Sequence, residues 1–141
     1  MDPEHLPIFV YGTLRPGGRA FRRIALFVRR VESAVLRQAD LYDLGAYPMA
    51  LPGSGQVVGE LLTLHAEVYA YALHHLDRYE GYDAERDDGL YLRRRVEVTT
   101  ADGRAMAAWT YLGVAETIGG YPLIPGGDWL ARKGGGSSVN T

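Results

Sequence analysis

IFVYGTLRPGGRAF, residues Ile8 to Phe21, decides how the rest of the chain is read. From Leu6 to Tyr11 the residues have the β-branched and aromatic content of a buried strand, and from Arg19 to Val28 the apolar spacing is that of a short helix. Between them stands a loop of turn formers, Gly12-Thr-Leu-Arg-Pro-Gly-Gly18. A strand, a Gly-rich loop and a helix start can aim several N–H groups at an anion, because first-turn amides have no partner inside the helix. The same glycines also suit a tight strand-to-helix turn that needs positive φ, and at this point both readings stand. A nucleotide loop of the form G-x-x-x-x-G-K-[ST] is disfavoured. Gly12 and Gly17 have its spacing, but Gly18 and Arg19 replace the lysine and the hydroxyl, so the phosphate cation and magnesium ligand are missing. The dinucleotide pattern G-x-G-x-x-G is absent too. What remains is a loop suited to a smaller anion such as a carboxylate.

Working outward, 141 residues at 47% hydrophobic content can close one core, so a single domain is expected. Fifteen basic residues against 17 acidic ones give a formal charge of -2, and no basic run exceeds Arg93-Arg94-Arg95, which argues against nucleic acid as a partner. Without cysteine there is neither a disulfide framework nor thiolate chemistry. No signal-peptide core and no apolar stretch of membrane-spanning length is present, so a cytoplasmic protein with no membrane partner is the expectation. The histidines fit no metal pattern: His74 and His75 are adjacent and diverge on a helix, while His5 and His65 have no spaced partners. Neither a metal nor a cofactor is expected. The oligomeric state is not legible in the sequence.

Strand-like runs follow at Val31 to Arg37 and Ala39 to Leu44, and again from Gln56 to Leu64. The segment from Gly45 to Gly55 is rich in turn formers yet carries Tyr47, Met49 and Leu51, so it reads as an ordered loop or edge strand. Ala66 to Tyr79 has helical spacing, although His65 stands where a capping Ser, Thr or Asp would be expected. Tyr91 to Thr100 and Arg104 to Leu112 flank Asp102-Gly103, a strong hairpin signal. Strands outnumber helices without βαβ alternation. The pattern therefore predicts an α+β fold, a curved mixed sheet with a barrel-like core and flanking helices.

The second informative stretch is His74-His-Leu-Asp-Arg-Tyr-Glu-Gly-Tyr-Asp83. At about 100° per residue, Tyr69, Ala72, Leu73 and Leu76 make one apolar stripe, Glu80 falls near its centre and Arg78 points away. A carboxylate aimed at a core is costly unless it is paired or kept for chemistry with a raised pKa. The other reading is that Gly81 ends the helix and Glu80 turns out to solvent. Asp77, at the edge of the stripe, is the next candidate, whereas Asp83, Glu85, Asp87 and Asp88 read as solvated loop residues. Arg15 reads either as a cation beside the loop or as part of a solvated face.

Phe9-Val-Tyr-Gly-Thr-Leu-Arg-Pro-Gly-Gly18, Leu41-Tyr-Asp-Leu-Gly-Ala-Tyr-Pro48, Val58-Gly-Glu60, Leu76-Asp-Arg-Tyr-Glu-Gly-Tyr82 and Ala108-Trp-Thr-Tyr-Leu112 occur in this order along the chain. Together they resemble the gamma-glutamylcyclotransferase-like (AIG2-like) family over most of its length. The resemblance implies one such domain over residues 1–132. It implies that the glutamyl group of a small-molecule substrate is bound by the backbone of Tyr11, Gly12, Thr13 and Leu14, with Glu80 as the catalytic acid/base. It also points to tyrosines in the pocket, for which Tyr91 and Tyr111 are the candidates, and Tyr47 before Pro48 is a candidate for the cleft wall. Ordinary packing is the competing reading for each of these tyrosines. The implied reaction is amide C–N cleavage by acyl transfer within the substrate: its α-amino group attacks the side-chain carbonyl and releases 5-oxoproline and an amine. A non-catalytic module that binds a small acidic metabolite is the alternative.

The tail from Lys133 to Thr141, with Gly134-Gly-Gly-Ser-Ser138, is expected to be disordered because nothing in it supplies a core. Truncation after Lys133 is accordingly expected to leave the melting temperature unchanged; a large fall in a thermal melt would contradict this.

Overall fold

The computed structural model describes residues 5–132, so the expectation for the tail from Lys133 onward lies outside the described residues. The described residues form seven strands, β1 (Ile8–Val10), β2 (Val28–Asp43), β3 (Pro48–Leu64), β4 (Tyr82–Asp83), β5 (Asp88–Gly89), β6 (Leu92–Thr100) and β7 (Ala105–Leu112), and one α-helix, α1 (Tyr69–Glu80). Five of the strands close a barrel in the order β1-β3-β2-β6-β7, and β4 pairs only with β5. The sheet is mixed. β1 runs antiparallel to β3 and parallel to β7, where Ile8 faces Trp109 and the Trp109 amide donates to the carbonyl of Pro7 at 2.9 Å.

β1 shows why the barrel closes here. Its alternating residues serve two apolar clusters: Ile8 and Val10 pack with Leu62, Tyr69, Ala72 and Leu76, while Phe9 and Tyr11 pack with Leu61, Val98 and Trp129. A strand buried on both faces reads as the continuous apolar run seen in the sequence.

The two strands expected at Val31 to Arg37 and Ala39 to Leu44 are one strand, β2, interrupted by a bulge. Gln38 adopts φ 57°, and the pairing jumps from Arg37 opposite Gln56 to Ala39 opposite Pro52. Such a bulge bends a long hairpin, as a small closed barrel requires. The segment expected as a loop or edge strand from Gly45 is correspondingly absorbed into β3 from Pro48 onward.

The helix expected over Arg19 to Val28 is absent. Two 3₁₀ turns, Phe21–Arg23 and Ala25–Phe27, take its place. The apolar residues Phe21, Ile24 and Phe27 recur every third position and all pack into the core, which is the 3₁₀ period, and Ala20 offers no capping side chain. α1 is thus the one α-helix among the described residues. A 3₁₀ turn, Ala66–Val68, leads into it, and His65 makes no capping hydrogen bond. No helix among the described residues is long and apolar enough to cross a membrane.

Arg15 is neither a cation lining the loop nor part of a solvated face. It is 6% exposed and pairs through Nε and Nη2 with both Glu60 oxygens at 2.8 and 2.9 Å, and through Nη1 with Asp128 at 2.8 Å. This fork ties the loop after β1 to β3 and to the C-terminal segment. Arg15→Met leaves two carboxylates without their partner and is expected to cost roughly 2–4 kcal/mol in urea unfolding, below the fully buried extreme because Asp128 keeps contact with solvent.

Candidate active site

The loop after β1 folds on itself through hydrogen bonds from Arg15 to Gly12 (3.1 Å), from Gly18 to Arg15 (2.6 Å) and from Ala20 to Thr13 (2.9 Å). Among the described residues no acceptor takes up the amides of Gly12, Thr13 or Leu14. Gly12 is required by close approach, since a Cβ there would stand 2.8 Å from Cγ of Pro48. Those three residues rim a cleft of about 150 Å³.

Glu80, at the end of α1, lines the same cleft. α1 stops because Gly81 adopts φ 71° and its amide turns back to the carbonyls of Arg78 and Asp77. Both readings of this terminus hold in part: Gly81 does end the helix, yet Glu80 lines the cleft and does not swing out to solvent. It is the one carboxylate among the cleft-lining residues described. Burial pushes its carboxyl up to about 8. The C-terminal end of a helix disfavours an ionised Glu in the same sense. One helical position earlier, Tyr79 latches the two sides together, its hydroxyl 2.9 Å from Oγ1 of Thr13.

Tyr11, Tyr47, Tyr91 and Tyr111 line the same cleft. Tyr91 Oη donates to the Pro48 carbonyl at 2.6 Å, Tyr111 Oη to Oδ1 of Asp77 at 2.6 Å, and Tyr11 Oη to the Tyr111 carbonyl at 2.5 Å. Tyr47 rests edge-on against Tyr91, with centroids 6.2 Å apart. Burial pushes the phenols of Tyr11, Tyr91 and Tyr111 well above the usual tyrosine range, and the Glu80 charge adds to each. Asp77 is not a second cleft carboxylate. It is buried behind Tyr111, with the Arg93 guanidinium on both its oxygens at 2.9 and 3.3 Å. Asp83, Glu85, Asp87 and Asp88 are exposed, and Asp87 is paired with Arg94.

The structure thus gathers Tyr11, Gly12, Thr13, Leu14, Tyr47, Glu80, Tyr91 and Tyr111 around one space. Sequence reasoning missed Arg19, Tyr79 and Leu90, which line it too. Tyr79 carried a usable signal, since it directly precedes Glu80 at the end of the helix. Arg19 and Leu90 reach the cleft only through tertiary folding, Arg19 with its guanidinium donating to the Ala46 carbonyl at 2.8 Å.

The closed five-stranded barrel is the fold of the gamma-glutamylcyclotransferases. Protein YtfP of Escherichia coli, known from a solution structure, superposes with a TM-score of 0.62 at 30% identity, covering 89% of this chain and 97% of that one. Protein PH0828 of Pyrococcus horikoshii shares the fold at a TM-score of 0.60 and 22% identity, over 88% of this chain and 89% of its own. In sequence, the gamma-glutamylcyclotransferase family protein YtfP of E. coli strain K12 is 32% identical over 127 residues, 89% of this chain and 96% of the relative. Residues 8–131 match the family described as gamma-glutamyl cyclotransferase, AIG2-like, and the chain belongs to that family.

The raised carboxyl has a thermodynamic signature. Between the ordinary Glu value near 4.5 and the folded value of about 8, the native state holds a proton that the unfolded chain has released. The Glu80 contribution to stability is full below the first value and is lost as pH rises through the second. Glu80→Gln, which cannot titrate, is therefore expected to melt progressively higher than the parent as pH goes from 5 to 9, in paired thermal melts.

Proposed function

We propose that the protein cleaves γ-glutamyl amines or amides by cyclotransfer. The substrate's α-amino nitrogen attacks its own side-chain carbonyl carbon, the new C–N bond closes a five-membered ring, and the bond to the leaving nitrogen breaks. The products are 5-oxoproline and a free amine. One proton must leave the attacking nitrogen and one must reach the leaving nitrogen, and Glu80 carries it between them. The observation that supports this reading best is Glu80 itself, the lone carboxylate of the cleft, facing a loop with three unused amides.

Each part has a defined task. The amides of Gly12, Thr13 and Leu14, with the backbone of Tyr11, grip the α-carboxylate or the carbonyl oxygen as negative charge builds on it. The walls formed by Tyr47 and the other cleft tyrosines fold the substrate so that its two ends meet, a positioning effect on the order of several kcal/mol. A carboxyl near 8 is well matched to an amine, because proton transfer in either direction is then close to balanced. The leaving amine lies beyond the groups named, and the reading covers γ-glutamyl amines as a class.

Incubation with a panel of γ-glutamyl amides, with 5-oxoproline as the measured product, tests the reaction. Product from none of them would favour the binding module. In the same assay, Glu80→Gln is expected to lower kcat by about 10²–10⁴-fold with little change in ligand affinity. The parent's kcat/KM is expected to rise with pH as Glu80 ionises, with its midpoint near 8. Near-normal turnover by Glu80→Gln would assign the proton to another group.

A further inference from the structure

The residues that line the cleft divide into a floor and a rim. Phe9, Leu14 and Tyr91 are buried, whereas Arg19, Tyr79 and Leu90 are exposed. Arg19 is held at the rim by one bond, from Nη1 to the carbonyl of Ala46 at 2.8 Å, next to the cleft residue Tyr47. Its Nε and Nη2 have no acceptor among the described residues. Arg23 brings a second cation to the same rim, its guanidinium carbon 5.7 Å from the centroid of the Tyr79 ring. Among the described residues no carboxylate lies within ion-pair distance of either arginine, although Arg15, Arg30, Arg86, Arg93, Arg94 and Arg104 each have one.

In a γ-glutamyl site the glutamyl half takes the floor, with Glu80 and the unused loop amides. The leaving half then points outward, because the released amine has to reach solvent, and the groups it meets are those of the rim. Glu80 keeps its proton at neutral pH, so Arg19 carries the one charge among the cleft-lining residues described. That rim attracts a leaving group with a negative charge and repels one with a positive charge. We propose that Arg19 is a specificity-determining residue, selecting γ-glutamyl amides whose leaving amine bears a carboxylate. Nε and Nη2 lie on one edge of the guanidinium and can donate to both oxygens of a single carboxylate, while Arg23 adds to the positive potential. This rests on the reading of the cleft as a γ-glutamyl site and narrows its substrates. A leaving amine with a second ammonium, as in a polyamine, is disfavoured, and an apolar side chain beside the carboxylate finds Leu90 on the same rim.

γ-L-Glutamyl-L-leucine and γ-L-glutamyl-L-leucinamide share the reacting amide and the apolar side chain, and differ in whether the leaving half carries a carboxylate. The ratio of their kcat/KM values for 5-oxoproline release therefore isolates the rim. The wild-type protein is expected to prefer the acid by about tenfold, the scale of one charge-assisted fork at an exposed site, and to lose that preference as salt is raised. Arg19→Gln is expected to bring the two substrates close to equal, and Arg19→Lys, which keeps the charge without the fork, to fall in between. An Arg19 that served the glutamyl α-carboxylate, or only the Ala46 carbonyl, would depress both substrates alike and leave the ratio where it was. A wild-type protein without preference for the acid, or an unchanged ratio in Arg19→Gln, overturns the proposal; Arg19→Lys decides in its place if Arg19→Gln does not fold. Where neither compound yields 5-oxoproline, the same ratio is read from their affinities by titration calorimetry. A preference for the acid that disappears in Arg19→Gln would then refute the reaction and leave the rim site standing, and equal or absent binding would overturn both.

Discussion

A half-buried carboxyl group without an ion-pair partner is the constraint around which this molecule is arranged. Glu80 sits at the last position of α1, where desolvation and the helix end both oppose its charge. The cost is tolerable because the group can keep its proton. The groups around it suit that cost: tyrosines that stay neutral, a loop with unused amides on the same cleft, and a Thr13–Tyr79 bond that ties the loop to the helix.

The buried charges nearby are handled in the opposite way. Arg15 is forked onto Glu60 and Asp128, and Asp77 is clasped by Arg93, which also stacks over Trp109 with its guanidinium carbon 4.8 Å from the ring centroid. In each case the charge is satisfied within the scaffold, so its field does not reach the cleft as an unpaired charge. Had either cation been turned toward Glu80, the carboxyl would have been held in the ordinary acidic range. It would then be too weak a base to exchange a proton with an amine.

Much of the architecture was legible in local pattern. The apolar run before Gly12, the Asp102-Gly103 hairpin and the stripe carrying Tyr69, Ala72 and Leu76 each rest on short-range physics, and each has its element in the fold. The failures share a different cause. Phe21, Ile24 and Phe27 satisfy a three-residue and a helical period almost equally well over so short a span, and tertiary packing chose between them. The bulge at Gln38 was hidden because a non-glycine residue adopts positive φ there to meet the closure of the barrel. In the cleft, residue type and spacing left the loop and Glu80 with two readings each, and it was the order of the motifs along the chain, through the family resemblance, that joined them in one site. The role of Arg15 was not readable, since its partners lie 45 and 113 positions away, and no local pattern encodes such a meeting.

That last separation bears on how the protein is made. The bond from Arg15 to Asp128 fastens the loop after β1 to a residue made 113 positions later, and β1 finds β7 only when Trp109 is available. The loop after β1 is therefore locked only once these distant partners have been made, well after its own residues leave the ribosome. Contacts of such long range also slow folding, because the chain between them must be ordered before the contact compensates for the lost entropy. A nascent chain arrested short of Asp128 would carry every residue of the cleft and still lack the bond that holds its loop to the C-terminal segment.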